Sequence, residues 1–210
     1  MIVVAFVNSQ GFVINKKFYC LEFTYTDIIT NGLLCYRYHA FVECSFSDIK
    51  SEYPKLPINV IVNPPCPTVT YDFLVNFLRK RYQEIQKLYP NEQLVFCYKG
   101  DKHQSQVLRD ANIPNILNID IVGVPSLGWL MYMYPNEKTI CSYHPKRVKQ
   151  CAQRTLKLVE IFLNHNKDFL TENMKKMNIT FPKNIPKIHY AIWVHLTQSK
   201  NNSTLTADKI

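Results

Sequence analysis

The stretch IVVAFVNSQGFVINKKFYCLEFTYTDIITNGLLCYRYHAFV, Ile2 to Val42, decides the fold. Ile2 to Val7 is a continuous apolar run, as in a strand buried on both faces, whereas Phe12 to Ile14 and Phe18 to Tyr25 alternate in the manner of half-buried strands. Asn31-Gly32 supplies a turn, and the aromatic-rich Leu33 to Val42 follows it. The expectation is an antiparallel meander.

Beyond it, five prolines between Ser45 and Pro67 mark a long connection, with Ile58 to Val62 as a short buried piece inside it. Thr70 is placed to cap a helix from Tyr71 to Tyr89, where Phe73, Leu74, Phe77, Leu78, Tyr82, Ile85 and Leu88 recur at helical spacing. Leu94 to Tyr98 reads as a buried strand, Gln104 to Ala111 as a short helix and Ile116 to Val122 as another strand. That order with short connections fits a right-handed crossover. Helical character near the end of Val124 to Tyr134, a strong helix over Lys149 to Asn164, basic helical turns after Phe169 and an apolar stretch at His189 to Leu196 complete the pattern. The spacing predicts an α/β fold with a mixed central sheet and flanking helices, one domain over residues 1–197 and a polar tail over 198–210.

At 47% hydrophobic and 20% charged residues, the 210-residue chain has the makeup of a domain with a substantial core, not of a disordered segment. Its apolar runs are too short to span a bilayer, and no basic segment precedes the first to make a signal peptide, so no membrane partner is expected. Seven cysteines without framework spacing fit a reducing compartment, where thiols serve as core residues or metal ligands.

Cys141, His144 and Cys151 form a Cys-x2-His-x6-Cys cluster, and an isolated Glu22 lies far upstream in Phe18-Tyr19-Cys20-Leu21-Glu22. Two thiolates, an imidazole and a carboxylate satisfy the tetrahedral positions of Zn2+ and leave no open position for an activated water. The chemistry points to a structural metal, with Cys151 expected in the first turn of its helix. The competing reading makes Cys151 a buried helix cysteine, Cys141 a strand-end cysteine and His144 a loop residue beside Pro145.

The net charge of +9 arises from 25 Lys and Arg against 16 Asp and Glu. Between Lys138 and Lys157 the basic side chains are Lys138, Lys146, Arg147, Lys149, Arg154 and Lys157, and none is acidic. Such a stripe attracts phosphates with salt-sensitive, largely sequence-independent affinity, and RNA is the partner it suggests. Lys146, Arg147, Lys149, Arg154 and Lys157 are the candidate contacts. Arg79, Lys80 and Arg81 read instead as the solvated face of a helix.

A three-stranded antiparallel start followed by alternating helices and strands is similar to the RNase H-like fold of DEDDh exonucleases. The opening strand of those enzymes carries two carboxylates for a metal pair, whereas Phe6-Val7-Asn8 stands here and no acidic residue precedes Glu22. In the second motif the expected aspartate falls near Gln104, and nothing from Lys146 through Val159 is acidic. Asp101 and Glu160 then read as surface charges, and no catalytic residue is assigned. The chain resembles the Maelstrom domain family, an exonuclease-like domain without the exonuclease residues. Phe18-Tyr19-x-x-Glu22 looks like its glutamate segment, Tyr38-His39-Ala40-Phe41-Val42 like its next strand, and Cys141-x2-His144 with Cys151-Ala152 like its remaining ligands.

The resemblance implies a zinc-stabilised domain that binds single-stranded RNA and works with PIWI proteins in piRNA-linked transposon silencing in the germline, in cytoplasmic, perinuclear and nuclear compartments. An HMG box, common ahead of this domain, is not found in the chain. Two alternatives stand beside this reading: a single-stranded RNA endonuclease that uses general acid and base groups in place of a metal pair, and a protein-interaction scaffold whose basic stripe meets an acidic partner.

Overall fold

A computed structural model of the chain describes residues 1–14, 16–28, 36–43, 67–137, 151–180 and 192–195. The elements in order are β1 (Ile2–Ile14), β2 (Lys17–Asp27), β3 (Tyr36–Val42), β4 (Thr68–Val69), α1 (Tyr71–Leu88), β5 (Leu94–Tyr98), α2 (Gln106–Asp110), β6 (Ile116–Asn118), a 3-10 turn (Ile119–Val122), α3 (Leu127–Met133), α4 (Ala152–His165), α5 (Lys167–Lys175) and β7 (Ile192–His195). The protein is α/β, with these strands in one mixed sheet.

The sheet order is β4-β3-β2-β1-β5-β6, and β7 pairs with the half of β3 that β4 leaves open. β2 runs antiparallel to both its neighbours, while β5 and β6 lie parallel to β1. The expected meander is therefore β1-β2-β3. Its first strand is continuous through Asn8-Ser9-Gln10, where the sequence suggested a break, because pairing with β2 carries across these polar residues. The reversal comes later, at Lys16, in the left-handed conformation at φ 67°. The Asn31-Gly32 turn and the Ile58 to Val62 piece lie outside the described residues.

Helices cover both faces. On one, α1 and α2 bury Leu74, Leu78, Val107 and Leu108 against Val4, Val7, Phe23, Tyr25 and Phe96. On the other, α3, α4 and α5 bury Leu130, Val159, Phe162 and Leu170 against Val3, Phe6, Val95, Cys97 and Leu117. Removal of so much apolar surface from water is the dominant favourable term in folding. α1 begins as expected, with the Thr70 hydroxyl accepting from the Phe73 amide at 3.2 Å. β6 is shorter than expected: the Asn118 side chain accepts from the Asp120 amide and turns the chain into the 3-10 segment, which Gly123 ends at φ 100°.

Arg81 is not a solvated charge. Its guanidinium pairs with the buried Asp27 at the end of β2 and with Glu84 at 2.6 Å. Burial raises the Asp27 carboxyl above the usual carboxylate range, while Arg81 and the Tyr25 hydroxyl pull it back. No described helix is long and apolar enough to cross a membrane.

Candidate functional site

Glu22 owes its direction to a β-bulge. Gln10 pairs with Glu22 but Gly11 pairs with Cys20, so Leu21 is an extra residue on β2. Before the bulge Phe18 and Cys20 point into the α1 core; after it, Phe23 and Tyr25 do. Strict alternation would have sent Glu22 to the same side as Cys20. The bulge turns it instead to the face covered by α4, an effect bulges commonly have beside functional groups. Gly11 permits this close approach, since a Cβ there would lie 1.9 Å from the Tyr19 carbonyl oxygen.

On the α4 face the sheet divides into two chemistries. The strands toward β6 present Val3, Phe6, Val95, Cys97 and Leu117. The strands toward β3 bury polar groups: Asn8, Glu22, Thr24, Thr26, Arg37 and His39. Gln10 joins them, donating to the Asn8 side-chain oxygen at 3.1 Å. At the two β1 positions that face α4 beside Glu22, the chain therefore carries amides rather than a carboxylate pair.

Glu22 is buried, and its two oxygens have different partners. Oε2 accepts from the Ala152 backbone amide at 3.0 Å, so the carboxylate caps the N-terminus of α4 from across the fold, where the helix dipole favours negative charge. Oε1 lies 2.9 Å from His39 Nε2 and 3.5 Å from Cys151 Sγ. His39 reaches it because it pairs with Thr24 in the β2–β3 ladder, diagonal to Glu22 on the same face. Its ring also meets Phe41 edge-on at 5.0 Å. Thr24 and Thr155 bind the helix start as well, donating to the carbonyls of Ala152 and Cys151 at 3.3 and 3.1 Å.

The fold thus joins two of the four metal candidates, Glu22 and Cys151, which are 129 residues apart in sequence. Cys151 occupies the N-cap of α4 rather than its first turn, because the helix begins at Ala152. Cys141 and His144 lie outside the described residues, as do Lys146, Arg147 and Lys149. Among the described residues no group of three or more His, Cys, Asp and Glu side chains is suited to hold a metal by itself.

Two of these separations can be compared with those between ligands of a shared ion. With Zn–S about 2.3 Å and Zn–O about 2.0 Å, a sulfur and an oxygen on one tetrahedral zinc stand about 3.5 Å apart, and a nitrogen and an oxygen about 3.3 Å. The Cys151–Glu22 separation matches the first value, and it is also that of the hydrogen bond which the Cys151 thiol donates to the carboxylate. His39 sits closer to Glu22 than a co-ligand would, at hydrogen-bond distance, and acts as a partner of the carboxylate. Glu22 and Cys151 therefore fit two adjacent zinc positions.

One turn after another along α4, the polar side continues. Glu160 is buried, not a surface charge: its Oε2 accepts from Arg37 Nη2 of β3 at 2.6 Å, and its Oε1 has no hydrogen-bond partner among the described residues. Burial pushes its carboxyl up to about 7, with Arg37 and Lys157 pulling the other way. The sequence offered a signal for this pairing, the alternation that puts Arg37, His39 and Phe41 on one side of β3. Asp101 is exposed, as expected.

Of the RNA-contact candidates, Arg154 and Lys157 are described, both half-buried on α4. Arg154 donates to the Glu137 carbonyl at 3.4 Å, which ties the chain just beyond α3 to α4. No family model matches the chain, and no curated protein matches it significantly.

Proposed function

We propose that the chain is an RNase H-like domain of the Maelstrom type, held by a structural zinc and binding single-stranded RNA through phosphate contacts in a small-RNA silencing pathway. The observation that carries this reading is the contact between Glu22 and Cys151, 3.5 Å apart at the start of α4. Each is a ligand candidate by sequence, and their separation suits a shared tetrahedral ion. Cys141 and His144 would complete the set. When bound, the metal would fasten α4 to the bulged strand β2 and so contribute folding energy.

The RNase H-like assignment is supported by the order β3-β2-β1-β5-β6 with only β2 reversed, and by α1 connecting the meander to β5. Absence of exonuclease chemistry is supported by Asn8 and Gln10 on β1, since amides supply no anionic oxygens for a metal pair. RNA binding is supported by the acid-free basic stretch from Lys138 to Lys157.

Elemental analysis of protein purified without chelator tests the metal. One zinc per chain is the expected result, and a metal-free, fully folded protein would overturn it. Titration with single-stranded RNA at several salt concentrations tests the partner: a steep salt dependence is expected, and no binding at low salt would leave the domain as a protein scaffold.

A further inference from the structure

The described surface carries one cluster of large exposed rings, on α3. Leu130 is buried against the α4–α5 core, with Leu127, Met131 and Tyr134 packed beside it. The opposite side of this short helix presents Trp129 and Tyr132, 62% and 76% exposed, and Met133 beside them. The two rings meet edge to face, with centroids 5.5 Å apart and planes at 88°. An edge-to-face pair preserves ring faces for a third aromatic group. Exposed residues of this size cost solubility, and a contiguous group of them marks a contact surface more often than a lone apolar side chain does.

Charge selects the occupant. From Val122 to Asn136 the chain has no charged residue; Glu137 follows, and then the stretch from Lys138 to Lys157 with six cations and no anion. The Arg154–Glu137 contact brings one cation of that stretch to the chain just beyond α3. Arg154 and Lys157 lie on α4, against which α3 packs. A neutral aromatic surface on a helix that packs against the one carrying Arg154 and Lys157, and close in sequence to the other cations, suits a ligand that alternates flat apolar rings with phosphates.

We infer that Trp129 and Tyr132 form a base-stacking platform for unpaired bases of a single-stranded nucleic acid whose phosphates are met by the neighbouring cations. This rests on the RNA-binding reading above and adds to it the element that touches bases. Stacking of this kind is tolerant of sequence because every base has a π face, so it supplies affinity for single strands over duplex without base readout.

The test compares an end-labelled oligouridylate with an abasic strand of equal length, which keeps every phosphate and lacks the bases. Wild-type protein should bind the oligouridylate about tenfold more tightly than the abasic strand, the order expected for one or two stacked bases. Trp129→Ala with Tyr132→Ala should abolish that preference and leave the abasic affinity and the salt slope unchanged. Because both side chains are exposed, the variant should fold, and Trp129 fluorescence gives a second readout. The chain has two tryptophans, so quenching by oligouridylate that disappears in Trp129→Phe is assigned to the platform. If oligouridylate and abasic strand bind wild type equally, or the variant keeps the preference, the platform is overturned while RNA binding stands. If neither strand binds, both readings fall and α3 is a surface for a protein.

Discussion

Arg37 on β3 and Glu160 on α4 form a 2.6 Å ion pair in which both side chains are almost wholly withdrawn from water. It joins the edge half of the sheet to the helix that Cys151 and Glu22 anchor one end of. Two charges buried together are costly to desolvate, and their mutual attraction offsets that cost only while both are present. Loss of Arg37 alone, as in Arg37→Met, should therefore destabilise the domain by about 3–5 kcal/mol, and the double variant with Glu160→Met should recover most of it. Urea unfolding of the single and double variants checks this; equal losses in both would mean that the pair is not coupled.

The same carboxylate predicts a pH dependence. Its value in the folded state, about 7, lies above the ordinary 4.5, chiefly through burial. Between those values the folded protein retains a proton that the unfolded chain has released, so this group makes stability fall as pH rises from about 4.5 to about 7. The full span corresponds to up to about 3 kcal/mol. Asp27 is shifted in the same direction, so the informative quantity is the difference between wild type and Glu160→Gln. That difference should change between pH 5 and pH 8. A constant difference would show that Glu160 stays ionised in the fold.

The bulge at Leu21 makes Gly11 the least replaceable glycine of the sheet. A Cβ at Gly11 meets a backbone oxygen that cannot rotate away, whereas at Gly128 the nearest atom is the Ser126 Oγ at 4.0 Å. Gly11→Ala should cost several kcal/mol or prevent folding, through overpacking and displacement of the bulge. Gly128→Ala, inside α3, should be neutral or stabilising by up to about 1 kcal/mol. Thermal melts of the two variants decide it, and a Gly11→Ala protein as stable as wild type would mean that the strands can separate there without loss.

These positions also show what could be read without coordinates. The strand and helix pattern was legible because apolar periodicity survives at Tyr71 to Leu88 and in Leu94 to Tyr98, and Thr70 announces its helix. Glu22 could be singled out by residue type, but not aimed, because a one-residue bulge reverses the facing of every later side chain on β2. Glu160 was misjudged for a related reason: helical spacing puts it near the polar edge of α4, and only the pairing of β3 with β2 brings Arg37 beneath it. Long-range partners of buried charges are set by topology, which local pattern does not encode.

Glu22 caps α4 whether or not it also holds a metal, so truncation alone does not separate the two roles. Glu22→Ala removes the acceptor of the Ala152 amide and the partner of His39 together, and should cost about 2–4 kcal/mol in either case. Glu22→Gln keeps an oxygen for the amide and lacks the anionic ligand. Under the zinc reading it should lose metal affinity, and Cys151→Ser should lose metal and stability together. Zinc content measured beside the melting temperature distinguishes the cases: Glu22→Gln protein with a full zinc complement would make Glu22 a helix cap only.

The basic stretch is open to a graded test, because Arg154 is already engaged within the fold. Lys146, Arg147, Lys149, Arg154 and Lys157 are the candidate phosphate contacts, and of these Arg154 is half-buried and donates to the Glu137 carbonyl. Reversing the first three to Glu should weaken single-stranded RNA binding and flatten the plot of log affinity against log salt by about 2, since each phosphate contact on a single strand contributes a slope of about 0.7. Arg154→Ala should act mainly on stability, by loosening the anchor between Glu137 and α4, with a smaller change in slope. Fluorescence anisotropy across a salt series gives both quantities. If the triple reversal leaves the slope intact and Arg154→Ala flattens it, the phosphates run along α4 instead.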